Sequence, residues 1–273
     1  MNNLNQIFNN SQENNFIYRI SHKNINQIKF DQPQNFETIL FDSNLNCNLH
    51  CVYCHNHRDL NTVKEEDFMT FLNTQVSSVK NFQIGCAMEP TMDKRMGKFA
   101  LMVSKSKAKP KGYFRLQTNG TLLHRHDVNE LKEAGIDRIT VSIDTIDSNV
   151  HKILRGGSDL EQILTNIKDL KNKWPESRVQ FITTVCSLNI DKLPDLCKYA
   201  EDNGIPNIEL RKMFYRSDSN VIKDHNKMKD IFISDEEFYS KTEILVKQFN
   251  KKIQFYVNGT KQLEYHRSRE KIA

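Results

Sequence analysis

The sequence predicts an α/β fold of parallel strands with helical crossovers, closed towards a barrel. The first observation behind this is alternation: from about residue 36, short runs rich in β-branched residues take turns with longer stretches whose apolar residues recur at helical spacing. The second is punctuation, because Gly135 and Gly204 stand where two of those helical stretches stop, as expected of residues just past a helix C-terminus. The third is strand parity. In "RITVSID", Val141 and Ile143 share one face while Ser142 and Asp144 share the other, and in "NIELRKMF", Ile208 and Leu210 oppose Glu209 and Arg211. A strand between two helix layers should be apolar on both faces, whereas polar residues on one face suit a barrel interior open to a ligand.

In chain order the expected strands are "ETILFD", "FQIG", "YFRLQT", "RITVSID", "RVQFITTV", "NIELRKMF" and "KIQFYVN". The expected helices between them are "EEDFMTFLNTQVSSVK", "DVNELKEAG", "DLEQILTNIKDLKNKW" and "DKLPDLCKYAEDNG". The basic run "KSKAKPKG" holds Pro and Gly and is expected to be a solvated loop. "LQTNG" would suggest a hairpin, but the helical pattern after it makes it a strand-to-helix turn. Residues 1–35 are expected to form a polar, loosely packed N-terminal extension with room for one strand, residues 36–215 the core domain, and residues 216–273 a helix and strand extension whose last stretch, "TKQLEYHRSREKIA", frays.

At 273 residues the chain is long enough to bury a core without staples. It has no apolar run approaching a membrane span, and its Asn-rich start lacks the apolar stretch of a signal peptide, so a cytoplasmic protein is expected. Net charge is +5, but Lys and Arg are interleaved with Asp and Glu, so neither nucleic acid nor a membrane is expected as partner.

Three of the six cysteines, Cys47, Cys51 and Cys54, fall within "NLNCNLHCVYCHN". In a reducing compartment such a cluster points to ligands or catalysis. Three thiolates on one loop would leave one iron of a four-iron cluster without a protein ligand, and an open metal position is where chemistry takes place. The alternatives are a structural zinc completed by His50, His55 or His57 in a non-catalytic binding module, and an iron–sulfur regulatory protein.

"CNLHCVYC" has the C-x3-C-x2-C form, with the aromatic Tyr53 before the last cysteine, and so resembles the radical S-adenosylmethionine (radical SAM) superfamily. Further matches follow in the superfamily's order from about residue 36 to 215. The resemblance implies a partial (β/α)6-type barrel, a 4Fe–4S cluster on the three cysteines, and S-adenosylmethionine bound at the open iron. It also implies reductive cleavage to a 5′-deoxyadenosyl radical that abstracts hydrogen from a small-molecule or peptide substrate, with a one-electron donor such as flavodoxin or ferredoxin. "IGCAMEP" resembles the superfamily's G-G-E-P motif, with Gly85 and Glu89 at the methionine amino group; Cys86-Ala87-Met88 departs from it. Tyr53, Thr118, Asn119, Ser142 and Arg155 resemble further cofactor contacts, and Thr183 to Val185 a backbone contact to adenine.

On the substrate side, parity aims Cys186, Glu209 and Arg211 at the barrel interior. Two readings stand: an internal Glu209–Arg211 ion pair with Cys186 as filler, or catalytic roles in which Arg211 grips an anionic or carbonyl group of substrate and Cys186 returns a hydrogen atom. Leu193, Leu196, Cys197 and Ala200 form a helical stripe, which makes Cys197 core. No residue names the substrate.

Overall fold

The computed structural model describes residues 17–215, 219–222 and 224–258. The strands are β1 (Ile17–Ile20), β2 (Gln34–Phe41), β3 (Asn44–Leu45), β4 (His50–Cys51), β5 (Asp59–Thr62), β6 (Val76–Ile84), β7 (Phe114–Thr118), β8 (Arg138–Ser142), β9 (Arg155–Gly156), β10 (Arg178–Val185), β11 (Asn207–Lys212) and β12 (Gln254–Asn258). The helices are α1 (Glu65–Thr74), α2 (Met96–Ser104), α3 (Val128–Glu133), α4 (Ser148–Leu154), α5 (Leu160–Lys173), α6 (Leu193–Asp202), α7 (His225–Asp230) and α8 (Asp235–Phe249). The chain divides into two compact units. The first takes residues up to Asn48 with Asn56–Thr140 and Thr165–Arg178; the second takes Leu49–His55, Val141–Leu164 and the chain from Val179 on.

In the first unit β1, β2, β6 and β7 pair in that order, all in parallel. One face of this sheet is aromatic. Phe41 stacks on Phe68 with ring centroids 4.1 Å apart, and Phe99 of α2 meets both rings edge-on at 5.3 Å. All three are buried, each contributing about 2–3 kcal/mol of apolar transfer. The other face is polar: Gln83 Oε1 accepts from Arg115 Nε at 2.9 Å, and Asn81 Nδ2 donates to Thr38 Oγ1 at 3.4 Å. The two faces alternate along each strand, with the helices on the apolar side.

In the second unit β10, β11 and β12 are parallel neighbours, and Ile143, just past β8, donates its N–H to the Ile182 carbonyl of β10. Ile208, Leu210, Phe255 and Val257 are buried on one face, while Glu209, Arg211, Tyr256 and Asn258 alternate with them. Leu193, Leu196, Cys197 and Ala200 are the buried stripe of α6; burial pushes the Cys197 thiol up to about 12, as befits core. Gly135 and Gly204 follow α3 and α6 with φ of 74° and 61°, in the left-handed region where glycine is strain-free.

Three expectations are corrected. The helix expected over 65–80 ends at Thr74, and Val76–Ile84 is strand, because "VSSV" is poor in helix formers and its backbone pairs along β2. Residues 17–35 are packed rather than loose: β1 extends the sheet beside β2, and Ile20 and Ile25 are buried. Ser142 and Asp144 were expected to share an open polar face, yet Asp144 is fully buried and only Ser142 is half-buried. The first 16 residues and the tail from Gly259 lie outside the described residues.

Burial also sets a pH limit on the second unit. His151 of α4 is fully buried, its Nε2 2.9 Å from Ser158 Oγ, and desolvation, with the nearby Arg155 charge, lowers its pKa to about 4. The unfolded chain binds this proton near pH 6.5 and the folded chain only near pH 4, so stability present above pH 6.5 is lost as pH falls between those values. Urea titrations should show a loss of about 3 kcal/mol over that window, from the size of the shift, and His151→Gln should flatten this part of the profile.

Candidate active site

Each unit, taken by itself, builds a polar cluster beside its own part of the cysteine stretch, Cys47 in the first and Cys51 and Cys54 in the second. In the first unit the organiser is the C-terminal end of β2. Asp42 Oδ1 accepts from the N–H groups of Cys86 and Ala87 at 2.9 and 3.2 Å; Asn44 Nδ2 donates to the Glu89 carbonyl at 3.1 Å, and the Glu89 N–H donates to the Asn46 carbonyl at 3.0 Å. These bonds tie the loop entering Cys47 to the "GCAME" turn. Asp42, Asn44 and Asn46 went unsingled in the sequence, although short polar residues directly after a buried strand are a signal of such turns.

The Glu89 carboxylate is buried. Its Oε1 accepts from the Thr91 N–H at 3.1 Å and from the Thr91 and Thr118 hydroxyls at 2.6 Å each, and Oε2 accepts from the Asn119 N–H at 2.6 Å. Burial raises its pKa, opposed by these same donors. Each carboxylate oxygen has about two lone-pair sites, so Oε2, which accepts one bond, has room for one more donor. Asn119 extends the cluster to the cysteines, with Nδ2 2.9 Å from Asn48 Oδ1 and 3.8 Å from Cys47 Sγ. Thr118 and Asn119 are therefore brought together with Glu89 and Cys47, as their places in the motif order suggested.

Gly85 has φ of 82°, and a Cβ there would lie 2.3 Å from the Gln117 carbonyl oxygen and 2.8 Å from the Pro90 ring. The chain itself therefore excludes a side chain at this position. Gly85→Ala should destabilise the fold by about 2–4 kcal/mol through left-handed strain and overpacking, read as a lowered urea midpoint.

In the second unit the organiser is Asp144. Its Oδ2 accepts from Arg155 Nε at 2.9 Å and from the Tyr53 hydroxyl; its Oδ1 accepts from the Arg155 terminal nitrogen at 2.9 Å and from the Thr184 N–H at 2.8 Å. Side-chain exposure is 7% for Arg155 and 0% for Asp144, so this is a buried, doubly hydrogen-bonded ion pair. The Arg155 backbone meanwhile pairs antiparallel with Cys51, and the Val52 N–H donates to the Leu154 carbonyl at 2.9 Å. Arg155, Tyr53 and the stretch carrying Cys51 and Cys54 are thus held as one body. Asn189 completes it, donating to the carbonyls of Asp144 and Thr184 at 2.9 Å each. Sequence reasoning ranked Ser142 above Asp144 here, because burial, which makes the pair, is not visible in parity.

The substrate-side candidates separate. Cys186 does not share the polar face with Glu209 and Arg211. It lies one residue past β10, fully buried among Leu154, Met213, Ile222, Met228 and Ile231, and desolvation lifts its thiol to about 11. Parity failed because the strand ends at Val185 and the chain turns, the Cys186 N–H bonding to Asn189 Oδ1 at 2.8 Å. The Cys186 thiol is thus part of an apolar cluster, against which Val52 and Tyr53 pack, rather than of the polar face. Arg211 does pair with Glu209, Nε to Oε1 at 2.7 Å.

Residues 44–200, more than half of the chain, match the family model described as the Radical SAM superfamily. The chain belongs to the radical SAM superfamily. The chain is also similar to curated proteins. An uncharacterized protein of Methanocaldococcus jannaschii is 26% identical over 196 residues, 72% of this chain and 64% of that protein, and a GTP 3′,8-cyclase of Peptoclostridium acidaminophilum is 28% identical over 181 residues, 64% of this chain and 55% of that one. The chain thus spans under two thirds of these relatives. The fold is that of solved structures of Streptococcus suis SuiB: bound to S-adenosylmethionine, with a TM-score of 0.62 at 16% identity over 84% of this chain and 50% of SuiB; and bound to its precursor peptide SuiA, with 0.66 at 16% over 90% and 53%.

The cofactors of this radical SAM chain are those of its superfamily, a 4Fe–4S cluster and S-adenosylmethionine. The residues present fit them. Cys47, Cys51 and Cys54 are half-buried, none in a disulfide, and supply three thiolates from one loop. The Glu89 cluster offers an acceptor for an ammonium, and the outer nitrogen of Arg155 is not used by Asp144, leaving a donor for a carboxylate.

Proposed function

We propose that this chain is a radical SAM enzyme that abstracts hydrogen from a small-molecule or peptide substrate. The observation that carries the proposal is the three-cysteine stretch and what each unit holds beside its own part of it: in the first, Asn119 lies between Cys47 and the buried Glu89 carboxylate; in the second, Cys51 pairs with the backbone of Arg155. When bound, the cluster and S-adenosylmethionine supply the 5′-deoxyadenosyl radical. Cys47, Cys51 and Cys54 hold the metal. Glu89 accepts from the methionine ammonium while Thr118 and Asn119 keep its carboxylate aimed, and Gly85 shapes the turn that presents it. Arg155 donates to the methionine carboxylate; Asp144 holds its inner edge, so that only the outer nitrogen is presented. Tyr53, locked by the same Asp144, and Ser142 line the remaining cofactor contacts.

Residues 36–215 are then the radical SAM core, flanked by 1–35 and 216–273. A cluster on thiolates suits the reducing cytoplasm, with a flavodoxin- or ferredoxin-like protein as electron donor. Among the described residues no helix is long and apolar enough to cross a membrane. The test is anaerobic incubation of cluster-loaded, dithionite-reduced protein with S-adenosylmethionine. Formation of 5′-deoxyadenosine and methionine is expected even without substrate; none with or without cell extract would overturn the proposal.

A further inference from the structure

The second unit carries a row of polar side chains that the cofactor roles leave unused. Across β10, β11 and β12 the register sets Thr184 beside Arg211 and Arg211 beside Asn258; one rung earlier, Ile182, Glu209 and Tyr256 are aligned. Alternate residues of a strand share a face, so Thr184, Arg211 and Asn258 lie side by side, with Glu209 and Tyr256 one rung towards the strand starts. Neighbouring strands are about 4.8 Å apart, which makes this a continuous strip. It lies at the C-terminal ends of parallel strands, the end at which barrels of this kind bind ligands. The strip also runs into the cofactor cluster, because the Thr184 N–H donates to Asp144 Oδ1 at 2.8 Å.

Within the strip Glu209 acts as a pin. Its Oε1 accepts from Arg211 Nε at 2.7 Å and from Asn258 Nδ2 at 2.5 Å. The Glu209 side chain is 10% exposed and that of Arg211 is 41% exposed, so the carboxylate sits behind and the guanidinium in front. A guanidinium has five N–H donors and Glu209 engages one; the four on the two terminal nitrogens make no hydrogen bond to a described residue, and neither does the Tyr256 hydroxyl. A structural ion pair would be satisfied with both groups turned towards each other. Here the planar fork is fixed along one edge and its outer edge is presented to solvent, the arrangement that matches two oxygens of a carboxylate or phosphate. Lysine could neither be pinned through one nitrogen nor present the others in a plane.

The geometry points to Arg211, pinned by Glu209 and flanked by Thr184, Tyr256 and Asn258, as the binding site for an oxyanion, carboxylate or phosphate, carried by the substrate. Calling that ligand the substrate rests on the radical-enzyme reading; the oxyanion site itself does not. It restricts the open substrate question to molecules with an anionic group about one strand spacing from Thr184.

Arginine modification tests it without a known substrate. Cluster-loaded wild-type protein is treated with phenylglyoxal, and the rate at each arginine is read by peptide mass mapping with sodium phosphate, with sodium acetate, or with sodium chloride at equal ionic strength. Arg178, exposed at the opposite end of β10, is the internal control. Phosphate or acetate should slow modification of Arg211 several-fold relative to chloride while leaving Arg178 unchanged, and whichever acts at lower concentration identifies the group. In Asn258→Ala, which removes a flank but keeps the Glu209 pin, the protecting concentration should rise several-fold. Equal rates at Arg211 in all three salts, or parallel slowing at Arg178, would overturn the inference. The same preparation assayed for 5′-deoxyadenosine reports on the radical reading separately: formation of the product without Arg211 protection removes the oxyanion site alone, and protection without product supports the site while removing its substrate label.

Discussion

Replacing any one of Cys47, Cys51 and Cys54 by alanine should abolish both the iron and the chemistry. Reconstituted wild type should hold about four iron and four sulfide per chain and absorb broadly near ~400 nm, as iron–thiolate clusters do. A cluster that starts with three protein thiolates has no ligand to spare, so each single variant should fall to near-zero iron and form no detectable 5′-deoxyadenosine. Folding should survive, since the three side chains are half-buried and lie outside the aromatic core of Phe41, Phe68 and Phe99. Stoichiometric zinc with no iron uptake in the wild type would contradict the assignment and restore the zinc-module alternative.

Asp144→Asn should be the most damaging single change outside the cysteines. It removes the negative partner of Arg155 and leaves a guanidinium, 7% exposed, in a low-dielectric site. Breaking one side of a buried pair costs about 3–5 kcal/mol, much of it the penalty of the charge left behind. Loss of that order is expected in urea unfolding of the apoprotein. Arg155→Met in the same chain should recover a substantial part, because it removes the stranded charge; if the double variant is no more stable than Asp144→Asn, the cost lies in the lost Tyr53 and Thr184 bonds instead. In neither variant should S-adenosylmethionine bind as in wild type, since both lose the oriented guanidinium.

The strand–helix alternation, the apolar face of each strand, the C-terminal glycines of α3 and α6 and the core place of Cys197 were all legible in the sequence, because each depends on spacing within one element. The cysteine loop was legible for a different reason: thiolate chemistry constrains ligands that are close in sequence. Gly85 and Glu89 were found by their order after that loop, but not the reason for the glycine, since the Gln117 carbonyl that excludes a Cβ belongs to another strand.

Residue type and spacing by themselves determined the α/β class, while the superfamily and its cofactor pair came from the resemblance carried by the cysteine motif. Tertiary structure alone decided which polar residues are buried together. Ser142 and Asp144 look alike in parity, yet only Asp144 meets Arg155, Tyr53 and the Thr184 backbone; Cys186 and Arg211 look alike in position, yet one ends in an apolar cluster and the other faces solvent. The physical reason is that a periodic pattern reports which side of an element a residue occupies, whereas the strength of a charge or hydrogen bond depends on how far water is excluded from it, and that is set by segments far away in sequence.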